Sequence, residues 1–174
     1  LNDDESRVYF SSTYRCMLKT KPFWSYGGQV AAVETSSGRL VWQHHTQIRD
    51  ERHRMPGPVG LRTPGPLVAT PDGGLLCISP EVGLFALNSA GKVKWRAEGL
   101  HIEWQSGPVL SDNGKKVYVL QKPWGGWRKL VVLSVHDGSV ITEIQLKLLS
   151  GMVNTDINRI VGTSKHNLFV ASVA

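Results

Sequence analysis

A sequence motif that occurs three times, with the second and third copies imperfect, constrains the fold of this 174-residue chain more than any other feature. The three copies are Ala32–Trp42, Ala86–Trp95 and Val132–Thr142. Their corresponding glycines are Gly38, Gly91 and Gly138, so the period is about 50 residues. Repeats of this length are supersecondary units, each of which buries its apolar face only by stacking on a neighbour.

Each unit is predicted to contain four short antiparallel strands. The chain has 18 Gly and 9 Pro, mostly between short apolar runs, which is typical of an all-β protein. The predicted units are a remnant of a first at 7–46, a second at 65–98, a third at 107–146 and the start of a fourth at 159–174. Four-stranded units at this spacing predict an all-β fold, a β-propeller of which about three and a half blades are present.

The repeated phrase resembles the tryptophan-docking motif of the quinoprotein (PQQ-like) propeller superfamily. Its pattern is Ala-x-acidic-x-x-small-Gly-x-x-x-Trp, which the first copy matches through Ala32, Glu34, Ser37, Gly38 and Trp42. The second copy matches with one deletion through Ala86, Gly91 and Trp95, and the third keeps Gly138 but has Thr142 in place of Trp. The resemblance implies that Trp42 and Trp95 pack between neighbouring blades. The WD40 family is disfavoured because no Trp-Asp or Gly-His dipeptide occurs.

The residues argue against catalysis, although the superfamily includes quinone-dependent dehydrogenases. The larger dehydrogenases are similar to one another in an adjacent-cysteine disulfide and in a calcium site of Glu, Asn and Asp. Here Cys16 and Cys77 are far apart in sequence, and no such ligand set can be matched. The two cysteines could pair with each other or remain thiols. We therefore predict no enzyme activity, no cofactor and no metal.

A histidine-rich segment is the one candidate for metal binding. It contains His44, His45 and His53, with Glu51 nearby. His44 and His45 are adjacent on a predicted strand end, so their side chains point to opposite faces. The spacing of 3–5 residues that is typical of zinc ligands is absent, which favours a solvated loop.

The aromatic and basic residues that the repeat does not explain lie in predicted loops. A long insertion, Tyr14–Gly28, is predicted between the second and third strands of the first unit, and 122–129 occupies the equivalent place in the third. Both contain Lys-Pro-aromatic and Gly-Gly sequences, and an arginine-rich connection spans His44–Pro64. Propeller geometry gathers such loops on one face, where Arg and Trp are typical of interface hot spots. The predicted interface residues are Lys21, Phe23, Trp24, Tyr26, Arg49, Arg52, Arg54, Trp104, Lys122, Trp124, Trp127 and Arg128.

These observations predict a noncatalytic propeller that serves as a protein–protein scaffold or accessory subunit of a larger assembly. The alternatives are a fragment of a quinone-dependent dehydrogenase and a nucleic-acid-binding propeller; the net charge of +6 is compatible with the latter, but the aromatics do not alternate along a strand. Noncatalytic members of the superfamily include a bacterial outer-membrane assembly lipoprotein and lumenal stress-sensor domains. This favours a noncytosolic compartment without identifying it.

The number of units predicts an incomplete ring. A closed propeller has 4–8 blades, so three and a half leave a sheet edge open. We expect the parent protein to contain further blades, or a partner to cover the edge. No apolar run approaches the roughly 20 residues that span a bilayer.

Overall fold

The computed structural model describes residues 6–17, 24–46, 49–50, 66–79, 83–97, 99–100, 102, 107–121, 129–146, 157–164 and 167–172. The secondary structure of these described residues consists of β-strands, which form three four-stranded antiparallel sheets and one hairpin. Short apolar runs separated by Gly-containing turns explain this architecture, because each run is long enough for one strand only.

The first sheet is built on a long hairpin. Its strands are β1 (Arg7–Met17), β2 (Trp24–Glu34), β3 (Leu40–His45) and β4 (Arg49–Asp50). The order is β1-β2-β3, and β4 pairs with the beginning of β2. The antiparallel register of β1 and β2 runs without a break from Arg7 opposite Glu34 to Met17 opposite Trp24.

The second and third sheets have four strands each, in simple sequence order. The second contains β5 (Val68–Ala69), β6 (Leu75–Ser79), β7 (Gly83–Leu87) and β8 (Val93–Ala97). The third contains β9 (Val109–Leu110), β10 (Lys116–Gln121), β11 (Lys129–Ser134) and β12 (Val140–Gln145). A final hairpin pairs β13 (Ile157–Ser164) with β14 (Asn167–Ser172).

The core lies between the sheets. One cluster joins Val30, Ala32 and Trp42 of the first sheet to Leu75, Cys77, Phe85 and Leu87 of the second. A larger cluster joins the opposite side of the second sheet, including Leu76, Ile78 and Trp95, to Val117, Val119, Val131 and Leu133 of the third. Strands β6 and β7 are buried on both sides, so they read as continuous apolar runs, whereas β8 alternates between exposed and buried residues.

The predicted fold class is confirmed: the chain is all-β and forms a partial propeller of four-stranded antiparallel blades. The prediction that Tyr14–Gly28 forms a loop is wrong over most of its length, since β1 continues to Met17 and β2 begins at Trp24. Likewise, Arg49 belongs to β4 and not to an irregular connection. The Gly-Gly sequence suggested a loop, but the long-range pairing of Gly27 and Gly28 with Tyr14 and Thr13 holds it in the ladder.

Candidate functional site

Trp42 docks the first sheet onto a turn of the second. Its indole Nε1 donates a hydrogen bond to the Ser89 carbonyl oxygen at 3.0 Å, and the side chain is almost buried. Gly91 has a φ of +75°, and a Cβ built there would lie 2.6 Å from the indole ring. Two reasons therefore favour glycine at position 91: the left-handed backbone conformation and the close approach of the indole ring.

Trp95 makes the same type of contact between the second and third sheets. Its Nε1 donates to the Val135 carbonyl oxygen at 2.8 Å, and a Cβ on Gly138 would lie 2.5 Å from the ring. The acceptor stands three residues before the glycine here, whereas Ser89 stands two residues before Gly91. Both acceptors lie three residues after equivalent strand positions, Ala86 and Val132, so the one-residue deletion falls between the acceptor and the glycine and preserves the docking.

The motif is incomplete at the two ends of this stack. Thr142 pairs with Val132 as Trp95 pairs with Ala86, but it is exposed. Gly38 has the same left-handed conformation as Gly91, with a φ of +69°, yet no atom of the described residues lies within 4 Å of a Cβ built on it.

Two neighbours of Trp42 were not identified from the sequence. The Tyr9 ring lies 5.9 Å from the Trp42 ring, centroid to centroid, and its hydroxyl donates to the Gly73 carbonyl oxygen at 3.2 Å. The Arg7 guanidinium donates to the Ser89 carbonyl oxygen at 2.7 Å. No local motif marks either residue, because both contacts depend on the neighbouring sheet.

His44 is a titratable group within the interface of the first and second sheets. Its ring lies 5.9 Å from that of Phe85, centroid to centroid. Burial lowers the pKa of His44 below its ordinary 6.5, and the nearby charges of Arg96 and His45 lower it further. A hydrogen bond with the Gly91 backbone raises the pKa but does not offset these effects. The prediction of a solvated loop is therefore wrong for His44, which lies in β3 against the second sheet.

Carboxylates in the described turns serve local structure. The backbone N–H and the hydroxyl of Ser139 both donate to Asp137 Oδ1, and these bonds lower the pKa of Asp137 to about 2. The Lys94 ammonium lies 2.7 Å from Asp72 Oδ2, and this bond, with that from Thr70, lowers the pKa of Asp72. Such pairing of turn carboxylates with nearby N–H and hydroxyl groups is the ordinary use of Asp in turns.

A metal or thiol site has little support among the residues described. No three His, Cys, Asp or Glu side chains of that part of the chain come together as potential ligands. Cys77 is a free, fully buried thiol in the core between the first and second sheets, and burial raises its pKa. His53 and Glu51 lie outside the described residues.

A three-stranded ribbon extends the first sheet. It consists of the second half of β1, the first half of β2 and the two residues of β4. Tyr26 pairs with Arg15 on one side and with Arg49 on the other, and Trp24 pairs with Met17. β1 and β2 have 11 residues each, whereas the corresponding strands of the other sheets have five or six.

The structure places three of the predicted interface residues, Trp24, Tyr26 and Arg49, on this ribbon. The other nine lie outside the described residues: Lys21, Phe23, Arg52, Arg54, Trp104, Lys122, Trp124, Trp127 and Arg128.

The two ends of the sheets differ in what they carry. At one end, which we call the turn end, turns of neighbouring sheets touch: Tyr9 reaches Gly73, and a Cβ on Gly114 would clash with Pro71. The opposite end, the loop end, is where β1, β6 and β10 finish and β2, β7 and β11 begin. The segments 18–23, 80–82 and 122–128 join the strands there, so the topology attaches the two Lys-Pro-aromatic sequences to the loop end.

No helix of the described part of the chain is long and apolar enough to cross a membrane. Comparison with protein-family models and with curated proteins finds no match. Among solved structures, the chain is similar to the crystal structure of BamB from Moraxella catarrhalis, with a TM-score of 0.55 and 16% sequence identity. The match covers 86% of this chain and 43% of that one, so the chain spans less than half of the BamB length. This likeness and the strand order together show the fold, a partial β-propeller.

Proposed function

We propose that the chain is a noncatalytic propeller that binds other proteins through its loop end, as a scaffold or accessory subunit of an assembly. The observation that carries this proposal is the ribbon of the first sheet, which lengthens one blade at the loop end and no other described blade. The extension doubles the length of the hairpin relative to the corresponding strands of the other two sheets. Its aromatic and basic residues, Trp24, Tyr26 and Arg49, are of the types enriched at protein interfaces.

The chemistry of the described residues supports a binding role over catalysis. The turn carboxylates are engaged in local hydrogen bonds, His44 faces Phe85, and Cys77 is buried. The chain shares its fold with BamB, and segments that connect strands generally vary more than the strands and more often carry binding residues.

The proposal is tested by comparing partners recovered with two matched triple variants. The first is Trp124→Ala with Trp127→Ala and Arg128→Ala, at the loop end. The second is the control, Arg39→Ala with Lys92→Ala and Lys115→Ala, which removes exposed charges from the turn end. Proximity labelling with quantitative mass spectrometry is done in cells that natively express the protein.

We expect the loop-end variant to lose a discrete set of partners by at least about tenfold, in line with hot-spot truncations, while the control retains them. Both variants should keep the thermal unfolding of the unaltered chain. Equal recovery of every partner by both variants would contradict the proposal, and so would recovery that depends on the turn end.

A further inference from the structure

The strand registers show how far the first sheet extends beyond the second. Equivalent positions of the three sheets lie two strands inward from the docking position, and in sheet order they are Tyr9, Leu76 and Tyr118. Ser12 is therefore equivalent to Ser79, the last residue of β6. Strand β1 continues beyond this point through residues 13–17. At about 3.3 Å per residue, the added length is about 16 Å.

The added length continues the face of the first sheet that packs on the second. The register of β1 and β2 runs without a break, so alternate residues of each strand stay on one face. Val30 and Ala32 of β2 are buried against the second sheet. The part of this face that lies on the ribbon, which we call the overhang face, includes Arg15, Met17, Trp24, Tyr26 and Arg49.

Two rows of different chemistry cross the overhang face. In the first, which we call the charged row, Tyr26 stands between Arg15 and Arg49 across the three strands. In the second, the apolar row, Trp24 stands opposite Met17. The rows are two residues apart along β2, which is about 6.7 Å. Directly opposite residues of an antiparallel pair are neighbours, so the members of one row can act on the same ligand group.

The positive charge of the overhang face is not offset within the ribbon. The ribbon contains one acidic residue, Asp50, which pairs with Ser25 and therefore belongs to the opposite face. Two arginines on either side of one tyrosine suit a carboxylate, because guanidinium groups bind carboxylates with paired N–H donors. Trp and Met suit an apolar side chain.

We propose that the overhang face, through its charged row and its apolar row, binds an extended acidic segment of a partner protein. In this segment a carboxylate and an apolar side chain lie two residues apart. Alternate residues of an extended peptide have the same spacing as the two rows. A segment that runs along β2 therefore brings its carboxylate to the charged row and its apolar side chain to the apolar row. The inference rests on the proposed function and names the chemistry of the partner.

The strands of the second sheet end before the ribbon does. Ser79 pairs with Gly83 at the loop end of that sheet, so the connection between β6 and β7 consists of residues 80–82. The overhang face therefore extends past the last described strand pair of the sheet on which it packs. A segment bound there adjoins the loop end, where the topology attaches both Lys-Pro-aromatic sequences.

Single-stranded nucleic acid fits the overhang face less well. Trp24 and Tyr26 do alternate along β2, which the sequence did not predict, and alternating aromatic residues can stack on bases. Such sites also carry positive charge along the whole path of the nucleic-acid backbone. Here Arg15 and Arg49 belong to one row, and the next row has Met17 where a further basic residue would be needed.

The proposal is tested by NMR titration of the unaltered chain with synthetic peptides. The probe is acetyl-Ser-Glu-Ser-Leu-Ser-amide, whose carboxylate and apolar side chain are two residues apart. One control peptide has Gln in place of Glu, and the other, acetyl-Ser-Ser-Glu-Leu-Ser-amide, has the same composition with Glu and Leu adjacent. We expect the probe to shift the backbone N–H signals of Arg15 and Tyr26 saturably, and both controls to bind at least about tenfold more weakly.

Matched variants locate the binding. Arg15→Gln with Arg49→Gln removes both charges of the charged row, and Lys92→Gln with Lys115→Gln removes two exposed charges at the turn end. We expect the first pair to weaken binding of the probe at least about tenfold. The second pair should weaken it less than about twofold, because distant exposed charges are screened by salt. The peptide comparison needs no altered chain, so it does not depend on the folding of a variant.

Several results would overturn the proposal: a Gln peptide or an adjacent-residue peptide that binds as tightly as the probe, equal losses in the two variants, or no saturable shift at the ribbon. A thymidine octanucleotide serves as the nucleic-acid probe. If it binds more tightly than the peptide at the same salt concentration, and if Arg15→Gln with Arg49→Gln weakens that binding, the ligand is nucleic acid and the proposal is wrong.

Failure of this inference can be distinguished from failure of the proposed function. If the loop-end triple variant loses partners while the probe causes no shift at the ribbon, the inference fails and the proposed function stands. If the probe binds as expected while every partner is recovered equally, the proposed function fails and the ribbon remains a binding site for acidic segments.

Discussion

The two interfaces between the three sheets use the same docking device but differ in their surroundings. The interface of the second and third sheets buries Trp95 in a large apolar cluster, and Ala97 follows two residues later on the same strand. The interface of the first and second sheets buries Trp42 in a smaller cluster, and the residue two positions later is His44.

Comparison of the two interfaces distinguishes the contacts that both of them share from the polar contacts that only one of them has. Indole, glycine and a backbone carbonyl oxygen are common to both interfaces. The polar groups Tyr9, Arg7 and His44 belong to the first interface alone among the described residues. We expect both interfaces to respond to loss of the indole, but only the first to respond to acid or to loss of a polar side chain.

Removal of the docking tryptophans is expected to have the largest effect. Trp95→Ala should lower the free energy of unfolding by about 3–5 kcal/mol, the usual cost of deleting a buried aromatic ring. Trp42→Ala should cost somewhat less, because Trp42 packs in the smaller cluster. Urea denaturation monitored by circular dichroism measures both values. A loss below about 1 kcal/mol for either variant would show that its ring does not hold the sheets together.

Substitution of the glycines under the rings should be nearly as costly. Gly138→Ala and Gly91→Ala combine a strained positive φ with a Cβ that would lie 2.5–2.6 Å from an indole, so we expect losses of about 2–4 kcal/mol. Gly99→Ala has the same type of φ without the ring and should lose about 1–2 kcal/mol. If the three variants lose the same stability, backbone strain alone explains the glycines and the ring contact contributes nothing.

Acid should weaken the first interface through His44. The pKa of His44 is lowered in the folded chain, so the unfolded chain binds the proton more tightly. Its contribution to stability is complete above the ordinary pKa of 6.5 and is lost as the pH falls through 6.5 towards the folded-state value. The substitution His44→Ala introduces the residue found at the equivalent position of the second sheet, Ala97. Urea denaturation should show a smaller decline in the free energy of unfolding from pH 8 to pH 5 for this variant than for the unaltered chain.

The turn carboxylates do not interfere with this measurement, because the pKa values of Asp72 and Asp137 lie below their ordinary 3.8. Their contributions are present above pH 3.8 and are lost only as the pH falls further. Stability curves that remain parallel for the two proteins from pH 8 to pH 5 would show that His44 does not sense acid.

Loss of the Tyr9 hydroxyl should have the smallest effect. Tyr9→Phe keeps the ring beside Trp42 but leaves the Gly73 carbonyl oxygen without this donor, so we expect a loss of about 0.5–1.5 kcal/mol. Tyr118→Phe alters the equivalent position of the third sheet, outside both interfaces, and is the matched control. Thermal unfolding compares the two, and a larger loss in the control would contradict the assigned role of the Tyr9 hydroxyl.

The sequence predicted the fold better than it predicted the edges of the strands. The alternation of apolar and polar residues in Val93–Ala97 predicted β8, and the apolar run Leu75–Ile78 predicted most of β6. Both predictions succeeded because the local sequence pattern alone indicates these strands. The extension of β1 and β2 was missed because Gly27 and Gly28 have the composition of a loop, and only their pairing across the hairpin keeps them extended.

The sequence proposed candidate interface residues, and the structure gives the positions of some of them. The sequence indicated which aromatic and basic residues the repeat leaves unexplained, and the structure places Trp24, Tyr26 and Arg49 on one ribbon. It could not show that His44 faces Phe85, because the contact joins two sheets that are separate in sequence. The prediction that the interface residues bind a partner stays a prediction.

The one-residue deletion in the second turn has a consequence for how such a chain can evolve. The indole rests on a Cα atom and donates to a carbonyl oxygen, and both belong to the backbone. Every residue supplies a carbonyl, so the turn can be shortened and its side chains exchanged while the joint persists, provided that one glycine and one tryptophan remain. A contact of this kind constrains few side chains, so little of it can be detected by sequence comparison. The packing of the blades can therefore persist after sequence similarity has been lost.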